Sequence, residues 1–180
     1  MPFLGRPLIQ RIIERLRPLS DDLFVVTSRP ADYACLGVPI HSDLLQPGQG
    51  SLVGLFSSLI SAAQPLVAVV GCDMPFASSA LFAYERDLIT ASGSDVAIPS
   101  TTVGLEPLHA VYRCETCLPV LKVALEAEQR KIIAWFPKVK VQILPDEVNA
   151  KYEQQLAFWN LNTPEDFRQA EIQARLEEKA

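Results

Sequence analysis

Residues 65–70, PLVAVV, carry no charge and do not alternate between polar and apolar. A strand that never offers water a polar face is buried on both sides, which requires a sheet interior covered by other elements above and below. The run continues into GCDMP, residues 71–75, so the buried strand opens onto an aspartate, Asp73. A carboxylate there is costly unless water, a hydrogen-bond donor or a cation receives it.

The neighbouring segments supply the covering elements. Pro7 to Leu19 reads as an amphipathic helix, with Leu8, Ile9, Ile12, Ile13 and Leu16 at helical spacing and Pro7 at its first position. Strands are expected at 23–27 (LFVVT), around 38–41, and at 66–71, 95–99 and 107–113, with KVKVQIL (138–144) as a half-exposed one. LLQPGQG (44–50) is a loop by its Pro and Gly content. Helices are expected at 51–63, from a Ser78 cap to about Ala91, from about Glu115 to Glu128, and briefly over KIIAWF (131–136). A last helix opens at NLNTPEDF, with Thr163 as cap, Pro164 in the first turn, and Glu165 and Asp166 at the positive end. Strands alternating with helices predict one α/β domain over residues 1–180, a three-layer Rossmann-like arrangement with a largely parallel sheet and helices on both faces.

The formal net charge of -5, with no basic run, argues against an electrostatic grip on nucleic acid or an anionic membrane. It leaves room for a small anionic ligand held by local donors. No basic start precedes an apolar block, and no apolar stretch is long enough to cross a bilayer, so a cytoplasmic protein is expected. The cysteines are Cys35, Cys72, Cys114 and Cys117. Cys114 and Cys117 make one CxxC, but without a second such pair or a His pair a structural zinc site is not expected. Reduced packing thiols are the favoured reading, a redox role the weaker one.

Ligands of open parallel sheets bind at the carboxyl ends of the strands. By that rule Arg29 follows the first strand, Asp43 the second and Asp73 the third. GQGSLVGL, 48–55, opens a helix between the last two. Its N–H groups are placed to hold an anion, or it is a Gly-rich turn with close helix packing. Asp73 is the sharpest candidate: a magnesium ligand completed by substrate phosphates, or a helix cap or solvated aspartate after all. Asp43 in a loop is a weaker signal. His41 and His109 read as sheet-face residues, and no Ser-His-Asp or Cys-His arrangement stands out.

GRPLIQRII, SDLLQPGQGSLVGL, VVGCDMPF, GLEPLHAVYR and NLNTPEDF, in that order, resemble the molybdenum cofactor guanylyltransferases, a MobA-like nucleotidyltransferase family. The resemblance covers nearly the whole chain, to about Gln169. It implies transfer of GMP from GTP to molybdopterin, with release of pyrophosphate, by a magnesium-dependent enzyme. It implies that Asp73 binds magnesium, that Asp43 lies beside the base or ribose, that Thr27 stands where a guanine-contacting residue is found, and that Asn162 faces the cleft. Arg130 and Lys131, beside KIIAWF, are either phosphate contacts or part of a surface turn. GTP and molybdopterin are the implied substrates, and molybdoenzymes or cofactor-delivery proteins the implied macromolecular partners. The family pattern normally opens with a strand and loop of the form LAGGxSxRMGxDK, and this sequence begins at Met1 where that segment would end. A sheet without that first strand is expected to leave unpaired backbone groups and exposed apolar faces. Two other readings stay open: a non-catalytic module that binds pterin or a partner protein, and a nucleotidyltransferase for another nucleotide or acceptor.

Overall fold

The computed structural model describes residues 2–20, 22–43, 50–129, 131–154 and 156–178. It opens with a small ladder of β1 (Pro2–Phe3) and β2 (Arg6–Pro7), then α1 (Leu8–Leu16). Pro7 sits at the cap rather than inside the helix, with φ -55 and ψ 131, so its missing N–H costs nothing. A parallel pair follows, β3 (Val25–Thr27) with β4 (Ile40–Ser42). Next come α2 (Ser51–Ser61), β5 (Leu66–Val70), α3 (Ser79–Ser92) and β6 (Val96–Ile98). A hairpin of β7 (Ser100–Thr101) and β8 (Gly104–Leu105) leads into β9 (His109–Arg113) and α4 (Cys114–Glu126). The chain closes with β10 (Val141–Ile143), α5 (Asp146–Gln154) and α6 (Pro164–Glu177).

The main sheet has strand order β10-β6-β9-β5. Strands β5, β6 and β9 alternate between two cores. Val67, Val69, Val96, Ile98, Ala110 and Tyr112 face α2, α4 and Trp135. Leu66, Val70, Ala97 and Val111 face α1, α3 and α6. Val67 and Val69 are buried against α2 and α4, whereas on the other face Leu66 and Val70 are half-buried and Ala68 is exposed. PLVAVV is thus not buried throughout, against the expectation from its lack of alternation; the α/β arrangement with helices on both faces is the one expected.

The sheet is mixed rather than largely parallel. β6 and β10 run parallel, but β9 is antiparallel to both β5 and β6. The reason lies in the connection from Ile98 to His109. It holds only the β7–β8 hairpin, whereas a parallel return needs a crossover of about a dozen residues or more. KIIAWF does not form a helix. Turns lead to a single 3-10 turn at Phe136–Lys138, because Pro137 supplies no N–H and so short a segment cannot meet the nucleation cost alone. Trp135 is nonetheless buried there, its Nε1 donating to the Ile132 carbonyl at 2.7 Å. α5 was not expected from the sequence. Its signals were Pro145 before Asp146 and Glu147, with Val148 and Tyr152 four apart.

No helix is long and apolar enough to cross a membrane among the described residues. The Thr163 cap is realised in full: its side chain accepts from Asp166 N–H, and the Asp166 carboxylate accepts in return from Thr163 N–H at 2.8 Å. Thr163→Ala should lower stability by about 1 kcal/mol, with Thr163→Ser close to wild type, in denaturant titrations.

Candidate functional site

Asp73 lies just beyond the carboxyl end of β5, half-exposed, in a turn closed by Met74 N–H donating to the Gly71 carbonyl at 3.3 Å. No hydrogen bond to its carboxylate is found among the described residues. Gly71 makes the close approach possible: a Cβ there would stand 2.6 Å from Asp73 Oδ1 and 3.2 Å from Met74 Sδ. The turn is held from below by α1. Arg11 Nε donates to the Pro75 carbonyl at 3.2 Å and Arg15 Nε to the Ala77 carbonyl at 3.1 Å. Both guanidinium groups also pair with Glu177 of α6. Sequence reasoning missed these clamps. Their only sequence trace is two arginines four apart on a helix whose other face is apolar.

The Asp73 carbonyl accepts from Leu161 N–H at 2.9 Å. CDMP and NLNTPED, eighty-odd residues apart, thus meet through the main chain, and exposed Asn162 follows directly on the bridging residue. Asn162 N–H donates to Asp166 at 3.1 Å, so the α6 cap fixes the loop from the other side.

Thr27 and Asp43 come together at the end of the β3–β4 pair, Asp43 N–H donating to the Thr27 carbonyl at 3.1 Å. Thr27 Oγ1 accepts from Arg29 N–H. Among the described residues Asp43 Oδ1 is buried without a hydrogen-bond partner, an acceptor that a ligand donor would satisfy. Arg29 is exposed and pairs with Asp32 at 3.4 Å. Residues 44–49 of the glycine-rich loop lie outside the described residues, as does Arg130. Gly50 is described: it caps α2 at φ 78, a conformation open to glycine. Lys131 is exposed.

Cys114 and Cys117 read as packing residues, whereas Cys35 and Cys72 are exposed, contrary to the packing role expected for them. Burial pushes the Cys114 thiol up, and the Cys117 thiol up to about 12, so both stay protonated and poorly nucleophilic. His109 is a buried sheet-face residue stacked on Phe82 at 3.9 Å, and His41 meets Phe24 edge-on. Among the described residues no group of three or more His, Cys, Asp or Glu side chains is gathered to hold a metal ion. A lone, unbonded carboxylate at Asp73 suits a cation of the magnesium kind, which takes one or two carboxylates and fills its other positions with water and phosphate oxygen.

Gly71→Ala tests whether the Asp73 carboxylate position matters. The new methyl forces the carboxylate to swing away, so divalent-cation binding through Asp73 should weaken about tenfold against the wild type in a magnesium titration.

Comparison with known proteins places the chain in a family. The family model described as "MobA-like NTP transferase domain" matches residues 1–141. The molybdenum cofactor guanylyltransferase of Desulfosudis oleivorans is 31% identical over 170 residues, 93% of this chain and 82% of that protein. That of Burkholderia ambifaria is 31% identical over 169 residues, 88% of this chain and 79% of that protein. Molybdopterin-guanine dinucleotide biosynthesis protein A from Archaeoglobus fulgidus superposes with a TM-score of 0.82 at 25% identity, over 97% of this chain and 89% of that one. The 2-C-methyl-D-erythritol 4-phosphate cytidylyltransferase of Thermus thermophilus shares the fold, with a TM-score of 0.67 at 18% identity, over 95% of this chain and 90% of that one. The match over residues 1–141, together with relatives 31% identical over most of both chains, identifies the chain as a member of the MobA-like NTP transferase family.

Proposed function

We propose that this protein transfers GMP from GTP to the molybdopterin form of the molybdenum cofactor, releasing pyrophosphate. The observation that carries the reading is the main-chain bridge between Asp73 and the residue before Asn162. It brings a free carboxylate and an exposed amide to one edge of the sheet, in a chain 31% identical to a named guanylyltransferase. In the reaction a phosphate oxygen of the acceptor attacks the α-phosphorus of GTP. The new P–O bond forms as the bond to the β-phosphate bridging oxygen breaks, and pyrophosphate leaves with that electron pair. Two anions must meet, so positioning and charge neutralisation do most of what catalysis requires.

Asp73 would hold the magnesium ion, whose positive charge offsets the repulsion between the two phosphates. Gly71 and the Arg11 and Arg15 clamps fix the turn that carries this carboxylate. Asp43 receives a donor from the ribose or base at its orphaned Oδ1, beside Thr27. Asn162 offers its amide to the acceptor. The protein with GTP, magnesium and molybdopterin should release pyrophosphate and form the guanine dinucleotide. Turnover with CTP or ATP in preference to GTP would reassign the base, and no turnover with any of them would reject the reading.

A further inference from the structure

The last ladder bond between β5 and β9 runs from Gly71 N–H to the Leu108 carbonyl at 2.9 Å. Beyond it both strands leave the sheet in turns. Met74 N–H donates to the Gly71 carbonyl on one side, and His109 N–H donates to the Glu106 carbonyl on the other. The antiparallel register pairs Val70 with His109 and, carried into the turns, sets Glu106 opposite Asp73. β5 is the last strand of its sheet on the side of the β3–β4 pair. Thr27 and Asp43 therefore belong to one flank of the Asp73 turn and Glu106 to the other.

Glu106 is held at its main chain and at one carboxylate oxygen. Its N–H donates to the Pro99 carbonyl at 3.0 Å, and Oε1 accepts from Thr101 Oγ1 of the β7–β8 hairpin at 2.9 Å. No hydrogen bond to Oε2 is found among the described residues. Partial burial pushes the carboxyl up, and the Glu153 carboxylate adds to this against the Thr101 hydrogen bond. Both proposed substrates carry phosphate, which a carboxylate repels. An acidic group on this edge is therefore suited to a part of the acceptor that offers N–H donors. A pterin ring offers two, N3–H and the 2-amino group. They lie side by side, in the paired arrangement that a carboxylate accepts with both oxygens.

We propose that Glu106 determines specificity for the acceptor, its carboxylate accepting from the N3–H and 2-amino groups of the pterin ring. The acceptor class rests on the function proposed above, and the assignment to Glu106 on the strand register and the open Oε2.

The test compares the wild type with Glu106→Gln, which keeps the shape and exchanges one acceptor for a donor. The probes are pterin and lumazine, which carries oxygen in place of the 2-amino group, titrated by their fluorescence at neutral pH. The wild type should bind pterin about thirtyfold tighter, because lumazine sets a carbonyl oxygen against the carboxylate. In Glu106→Gln that preference should vanish or reverse, since the carboxamide donates to the lumazine oxygen. GTP binding and thermal unfolding should stay at wild-type values. A merely structural role would weaken both probes alike, and that result overturns the proposal. Absence of a preference in the wild type overturns it too, as does a preference kept in the variant. Weakened GTP binding in the variant also overturns it, by giving Glu106 to guanine, which presents the same edge. Discrimination between the probes by a protein that forms no guanine dinucleotide would reject the transfer reading and keep the role of Glu106. GMP transfer with KM for molybdopterin unmoved in Glu106→Gln would do the reverse.

Discussion

Asp73→Asn should lower magnesium-dependent GMP transfer on the order of a thousandfold while leaving thermal unfolding close to that of wild type. The rate effect follows from charge. An amide keeps the shape of the carboxylate but cannot neutralise a divalent ion, and metal stabilisation of phosphoryl transfer is worth several kcal/mol, or about three decades of rate. The stability argument follows from the surroundings. The side chain is half-exposed, and its structural link is the main-chain carbonyl that accepts from Leu161, which the substitution retains. Magnesium should then no longer tighten GTP binding. A variant with wild-type turnover, or with unchanged metal-dependent binding, would remove Asp73 from the centre of the mechanism. Gly71→Ala is the graded companion, because it displaces the same carboxylate without changing its charge.

The second large effect is on stability against pH. His109 and Glu85 are both fully buried, with His109 Nδ1 3.3 Å from Glu85 Oε1. His109 Nε2 accepts from Ser78 N–H at 3.3 Å, which assigns the proton to Nδ1 and makes that nitrogen the donor to Glu85. The contact is a hydrogen bond between neutral groups rather than an ion pair. Burial pulls the imidazole down to about 3 and pushes the carboxyl well above its ordinary range. The two act with opposite sign. Between about pH 3 and 6.5 the unfolded chain binds the imidazole proton and the folded one does not. The His109 contribution is therefore complete above 6.5 and is lost as pH falls, to a total of about 5 kcal/mol. Glu85 is protonated when folded and ionised when unfolded above about 4.5, so its contribution is complete below that pH and declines as pH rises.

Below about pH 4.5 only the His109 contribution changes, so stability should fall there as pH falls; above that pH the Glu85 contribution acts in the opposite direction and declines as pH rises. His109→Gln should remove the acid arm and Glu85→Gln the alkaline one. Both are read as slopes from denaturant titrations across pH, so the lost stacking on Phe82 does not obscure the result. The difference between variant and wild type also subtracts exposed carboxyls such as Asp166, held low by its Thr163 hydrogen bonds. Parallel pH curves for wild type and both variants would refute the neutral-pair assignment.

Most of the secondary structure was legible because its signals are local. α1 follows from apolar spacing, α3 from Ser78, and α6 from a Thr-Pro-Glu-Asp start whose reciprocal bonds span only three residues. The position of Asp73 was legible for the same reason, since an uncharged run ending in Gly-Cys-Asp marks a strand mouth. The direction of β9 was misread. HAVYR has the same composition in either orientation, and the length of the connection decided the matter. The Glu85–His109 pair joins a helix to a strand twenty-four residues away, and no periodicity connects those positions.

Residue order was sufficient for the layers, the caps and the acidic strand end, because hydrophobic burial and local hydrogen bonding act over a few neighbouring residues. Only the assembled molecule could pair the Asp73 carbonyl with Leu161, set two arginines of α1 beneath the turn, and stack His109 on Phe82 beside Glu85. Those features depend on distances between segments far apart in the chain, which packing alone establishes.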